Sequence, residues 1–128
     1  DQHVAEIFGC QKGDFVYRLD RVRTGDDVAI VYFISYFSRD RNLPLEDEKY
    51  MGSMYALLDD LNIRKPVKTR ENFRAITARK EEAEKLDIKK GDPLLIRERV
   101  SYDHEGNVLE YTISYYPGER YSYSIELG

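Results

Sequence analysis

The stretch "AEIFGCQKGDFVYRLDRV", residues 5–22, returns 78 positions later as "AEKLDIKKGDPLLIRERV", residues 83–100. Ala5, Glu6, Lys12, Gly13, Asp14, Arg21 and Val22 recur as Ala83, Glu84, Lys90, Gly91, Asp92, Arg99 and Val100. After one inserted residue, "ISYF" (34–37) falls on "ISYY" (113–116). Similarity at a fixed spacing marks one supersecondary unit used twice. Each copy, 5–37 and 83–116, reads as a short helix, a Lys-Gly-Asp turn, a strand, a tight turn and a second strand. Gly25-Asp26-Asp27 breaks the first copy and Asp103-His104-Glu105-Gly106-Asn107 the second, both with residues that favour turns.

Working outward, Pro117-Gly118 reads as a type II turn, with Pro fixing the first central φ and Gly taking the positive second one. The tail "RYSYSIEL" then predicts a final strand with Tyr121, Tyr123, Ile125 and Leu127 on one face. Between the copies, Ser53 caps a predicted helix whose Met54, Leu57, Leu58 and Leu61 fall at helical spacing. "VKTRENFRAIT" (67–77) predicts a long strand with Phe73, Ala75 and Thr77 on one face. A helix over 79–86 opens the second copy, and 38–50 is a charged loop. The expectation is one α+β domain over residues 1–128: an antiparallel sheet of about six strands with two or three short flanking helices.

With 41% hydrophobic residues, 11 Tyr and 5 Phe, the chain can build an ordinary core. Its formal charge of −4 makes it a poor ligand for nucleic acid by itself. Cys10 is the single cysteine, which excludes an internal disulfide and a thiolate metal cluster and points to a reducing, cytoplasmic setting. No run approaches the roughly 18 apolar residues of a membrane span, and no signal peptide is visible. The chain opens on Asp1 without a methionine and reads as a piece of something longer.

Chemistry is sought first in "RLDRVRTGDD" (18–27). Phe15, Tyr17 and Leu19 share one strand face, and Arg21 and Arg23 continue the row. Such a row either leaves the core for water or lines an anion site, since guanidinium forks match phosphate and carboxylate. Arg99 holds the repeat position of Arg21, and a twofold-like arrangement of the copies would bring both to one cleft. Arg97 shares the strand face of Arg99. The start of the Ser53 helix, "GSMY" (52–55), is either an ordinary capped end or an anion-binding one. Glu110, Thr112, Ser114 and Tyr116 form a polar face opposite Leu109, Tyr111, Ile113 and Tyr115. That face is either wet or lined for a small polar ligand. His3 and His104 have no metal-ligand spacing, and no phosphate loop, nucleophile elbow or Cys/His pair occurs. We therefore assign no catalytic residue, metal or cofactor.

"VYRLDRVRTGDDVAIVYFISYF", "GSMYALLDDLNI" and the segment from "AEKLDIKKGD" to "RYSYSIEL", taken in order, resemble a UTRA domain. This is the effector-binding module of GntR-type bacterial transcription regulators, HutC subfamily. The resemblance implies a chorismate lyase-like fold, a homodimer, and a winged helix-turn-helix domain that precedes the module, contacts DNA and is absent here. It implies a sugar phosphate or other small anion as effector. Residues matching Arg21, Arg23, Ser53 and Tyr55 hold the phosphate, and those matching Glu110 and Tyr116 hold the sugar. Phe33 stands where members that recognise amino-sugar phosphates carry a glutamate, which implies a less polar ligand body. A lyase-like enzyme acting on a small carboxylate is the alternative that the shared fold keeps open.

Overall fold

The computed structural model describes residues 2–10, 14, 16–38 and 66–128. Helix α1 spans Gln2–Phe8 and α2 spans Lys80–Leu86. The strands are β1 (Val16–Gly25), β2 (Val28–Ser38), β3 (Lys68–Thr77), β4 (Pro93–Tyr102) and β5 (Val108–Pro117). They form one antiparallel sheet in the order β1-β2-β5-β4-β3. The repeat is visible in this order: β1 and β2 of the first copy, then β5 and β4 of the second, with β3 outside the repeat at the edge.

Local chemistry explains the turns. Asp26 and Asp27 both carry positive φ, 51° and 64°, as a two-residue hairpin matched to right-handed strand twist requires. In the second copy, Asp103 Oδ1 accepts the backbone N–H groups of Glu105 and Asn107, both at 2.9 Å, and Gly106 sits at φ 85°. The Pro117 turn differs from expectation. Arg120 N–H bonds to Pro117 C=O, so Gly118 and Glu119 are the central residues, and neither has positive φ. Gly118 is needed for close approach instead, because a Cβ there would lie 3.1 Å from the Pro93 carbonyl oxygen.

The two described helices end the same way. Gly9 (φ 67°) and Asp87 (φ 53°) hold equivalent positions in the left-handed region that commonly closes a helix. The next residues, Cys10 and Ile88, donate N–H bonds to Ala5 and Ala83 carbonyls at 2.9 and 3.0 Å. At its start α2 lacks a small polar cap. Buried Glu82 reaches back and accepts from both the Arg79 backbone N–H (3.2 Å) and its Nε (3.1 Å).

Two compact units are distinguished: Asp1–Arg18 with Ser35–Arg70 and Arg99–Tyr111, and Leu19–Ile34 with Glu71–Glu98 and Thr112–Gly128. In the first, Val4, Tyr36, Leu109 and Tyr111 are buried, Tyr36 stacks on Tyr111 at 6.0 Å, and His3 meets Tyr111 edge-on at 5.8 Å. In the second, Tyr32, Leu86, Leu94, Ile96 and Tyr115 are buried, Tyr32 stacks on Tyr115 at 5.7 Å, and Glu81 accepts from the Tyr32 hydroxyl at 3.3 Å. One set is the repeat image of the other: Tyr111 answers Tyr32, Tyr36 answers Tyr115, and His3 answers Glu81. The same helix-on-tyrosine contact is made twice from one sequence pattern.

The remaining expectations are corrected or lie outside the described residues. The tail 121–128 forms no strand, so the sheet of the described residues has five strands rather than six. Phe15, the Lys12-Gly13 part of the first Lys-Gly-Asp turn, the 39–50 part of the charged loop and the helix expected from Ser53 all lie outside the described residues.

Candidate functional site

Alternation along β2 and β5 sends Tyr32, Tyr36, Tyr111 and Tyr115 to the helix-bearing side, and the intervening residues to the other. Among those intervening residues, Thr112 and Ser114 are 5% and 8% exposed, so the polar face of β5 is not simply a wet one.

In the unit containing Leu19–Ile34, Arg21 lies over the Phe33 ring, with its guanidinium carbon 5.8 Å from the ring centre. That is cation–π range, and it makes Phe33 a platform for a candidate anion-binding arginine. Arg23, two residues on, is exposed. In the same unit Tyr116 stacks face to face on Tyr121 at 3.9 Å. Arg97 sits among this group, over Phe73 at 5.8 Å, with Nε on Glu71 Oε2 at 3.1 Å and Nη2 on Glu71 Oε1. The Glu71 bonds, with a further one to Tyr116, raise the Arg97 pKa above the ordinary guanidinium value, against the opposing effect of burial. Arg97 is thus a structural cation clamped by Glu71, a partner that charge patterning alone does not reveal.

In the other unit, Arg99 Nη2 donates to Glu110 Oε2 at 3.1 Å. Arg99 Nε is buried and has no hydrogen-bond partner among the described residues. The expected ligand residues thus appear as an Arg21–Phe33 pair, an Arg99–Glu110 pair and a Tyr116–Tyr121 stack. Ser53 and Tyr55 lie outside the described residues. Sequence reasoning missed Glu71 and the two tail tyrosines as neighbours of the site, although the alternation "YSYSIEL" marked the latter as one row. Among the described residues no group of three or more His, Cys, Asp or Glu can hold a metal ion, and no helix is long and apolar enough to cross a membrane.

The five-stranded antiparallel sheet and two short helices of the described residues match the chorismate lyase-like α+β fold. A family model described as the UTRA domain matches residues 1–122, and the chain belongs to that family, which is found in GntR-type transcription regulators. It is 26% identical over 122 residues to the HTH-type transcriptional repressor NagR of Bacillus subtilis, covering 95% of this chain and 50% of that protein. The chain therefore spans about half the length of that curated relative. A GntR-family transcriptional regulator from Enterococcus faecalis superposes with a TM-score of 0.87 at 25% identity, over 99% of this chain and 91% of that one. PhnF from Mycobacterium smegmatis gives 0.84 at 25% identity, over 100% and 57%.

Proposed function

We propose that this chain is the effector-binding and dimerising module of a GntR-type regulator of the HutC subfamily. A small anion, with a sugar phosphate as the leading class, acts through it on DNA binding by a winged-helix domain elsewhere in the full protein. The ligand works by differing in affinity for two states of the regulator. The setting is cytoplasmic, and the chain carries out no catalysis. Arg21 and Arg23 are assigned to the anion, and Arg99, Glu110 and Tyr116 are each assigned a ligand-binding role that the resemblance or the repeat implies.

The observation that supports this reading is Arg99. Its Nη2 is engaged by Glu110 while its buried Nε has no acceptor among the described residues. A buried donor left unmade costs about 1–3 kcal/mol, which an incoming oxygen would recover. Phe33 narrows the ligand class. A sugar hydroxyl pressed on its ring would lose water without compensation, at about 1–3 kcal/mol. N-acetylglucosamine 6-phosphate is therefore expected to bind weakly.

A thermal-shift screen of sugar phosphates and small carboxylates, followed by calorimetric titration of the best hit, tests the assignment. Arg21→Ala or Arg23→Ala should remove on the order of 1.5–3 kcal/mol of binding while the melting midpoint holds. Unchanged affinity in both variants, or turnover of chorismate by the wild-type chain, would sink it.

A further inference from the structure

One face of the Tyr116 ring is already taken. Tyr121 stacks on it with ring centres 3.9 Å apart and planes 17° off parallel. Two residues on, Tyr123 packs on Phe73 at 4.6 Å, and the Arg97 guanidinium carbon lies 5.8 Å from the centre of that same Phe73 ring. Tyr116, Arg97 and Phe73 belong to β5, β4 and β3, which are neighbours in the sheet. Alternation sets Tyr116 on the opposite face from Tyr115, and Phe33 on the opposite face from Tyr32. Tyr32 and Tyr115 stack on each other, so Phe33 and Tyr116 share the face away from α2, on adjacent strands. The tail therefore lies over the face that carries the Arg21–Phe33 pair. All of these residues belong to one compact unit.

The chain is held unequally before and after Arg120. Nη1 of Arg120 donates to the Ala29 carbonyl at 3.0 Å and to the Leu86 carbonyl at 3.1 Å, and its backbone N–H donates to the Pro117 carbonyl at 3.0 Å. Leu86 is the last residue of α2, where carbonyls have no partner within the helix. Arg120 thus fastens the chain to β2 and α2 at once. Beyond it, residues 121–128 form no strand and make no hydrogen bond among the described residues, so Tyr121 and Tyr123 are held by ring packing. Tyr123 is already 48% exposed. An aromatic pair holds less firmly than a guanidinium bonded to two carbonyls. The natural hinge falls between Arg120 and Tyr121.

We infer that Tyr121 is a built-in competitor for the ligand's place on Tyr116. An anion held at Arg21 and Arg23 displaces the Tyr121 ring when its body is itself a ring with an apolar face. The inference rests on the effector-binding reading and adds to it a ligand class and a selectivity residue. An anion with no such body leaves Tyr121 where it is. Phe33, on the neighbouring strand, selects in the same sense, because both rings favour an apolar surface over hydroxyls. The closed tail lowers apparent affinity by the fraction of molecules in which Tyr116 is covered.

Calorimetric titration of the whole chain with inorganic phosphate, phenyl phosphate and glucose 6-phosphate reads the outcome, with circular dichroism as the check on folding. Tyr121→Ala should bind a ring-bodied probe about 2- to 10-fold more tightly than wild type, as removal of one aromatic stack implies. A gain with phenyl phosphate marks an aromatic body, and a gain with glucose 6-phosphate a sugar. Inorganic phosphate has no body and should bind both proteins equally. Tyr121→Phe keeps the ring and should match wild type. The chain has no tryptophan, so Tyr121→Trp places a single indole on the stack. Its emission should move to the red as the ring-bodied probe saturates and frees the indole to water. An unmoved emission under saturating probe would overturn the displacement. Weaker binding of the ring-bodied probes by Tyr121→Ala would mean that Tyr121 clasps the ligand, and would overturn the competition. An equal gain for inorganic phosphate would mean general loosening and would overturn it too. Unchanged affinities in Tyr121→Ala, with Arg21→Ala weakening every probe, would refute the competitor and leave the anion site standing. Binding of no probe by either wild type or Tyr121→Ala would remove the effector-binding reading and this inference with it.

Discussion

Tyr32 concentrates the polar chemistry of the core. It is 1% exposed, its hydroxyl is 3.3 Å from both Asp20 Oδ2 and Glu81 Oε1, and the Lys85 ammonium lies 6.0 Å from its ring centre. One proton serves one carboxylate at a time. Burial is the largest cause and the two carboxylates add to it, so the phenol pKa is driven well above its ordinary value of about 10. The folded protein therefore keeps the proton after the unfolded chain has lost it. Stability from this group is fully present below about pH 10 and is lost as pH rises from there toward the raised folded value. Tyr32→Phe should lower stability at neutral pH by about 0.5–1.5 kcal/mol through the lost hydrogen bond, yet flatten the alkaline decline. Urea unfolding of both proteins on either side of that pH decides it. Parallel decline of the two would mean that Tyr32 is not the titrating group. Tyr115 is shifted upward as well, chiefly by burial, so a residual slope is expected in the variant.

At the scale of elements, the repeat makes one copy a control for the other. Both described helices end on a residue in the left-handed region, Gly9 in the first copy and Asp87 in the second. Glycine takes that conformation without a Cβ penalty, whereas a side chain bears it. Asp87→Gly should therefore stabilise the chain by up to about 1 kcal/mol, and Gly9→Ala should destabilise it by a similar amount. A Cβ at Gly9 meets nothing within 4 Å, so the cost there is conformational rather than steric. Differential scanning calorimetry on the pair checks this, and equal signs for the two substitutions would refute it. The same comparison shows how pairing is set. Tyr32 with Tyr115 and Tyr36 with Tyr111 fix the β2–β5 register, because a one-residue slip would turn every tyrosine away from its helix.

For the whole molecule, charge decides what the chain does alone. Its net charge of −4 opposes the approach to phosphate from which counterion release would gain. A gel shift with duplex DNA should show no submicromolar binding by this chain, and salt-sensitive retention at such concentrations would contradict that. The strands of the repeat, its two described helices and its two hairpins were legible in the amino-acid sequence, because they follow from local chemistry: alternation, turn residues and helical spacing recurring at a fixed offset. The row from Tyr17 to Arg23 and the polar face of β5 were readable for the same reason. Partnership was not readable. Glu71 and Arg97 are 26 residues apart and meet only because β3 pairs with β4. Phe33 reads as a bare apolar ring until the hairpin lays Arg21 over it. The tail has every mark of a strand, but a strand exists only when an edge accepts its backbone, and no described strand of this chain does so. Sequence by itself determined the strands, helices and hairpin turns of the repeat and which of their faces are apolar. Tertiary structure alone decided which charges neutralise each other, which donor stays unmet and which strand is left without a partner, because these depend on contacts between residues far apart along the chain.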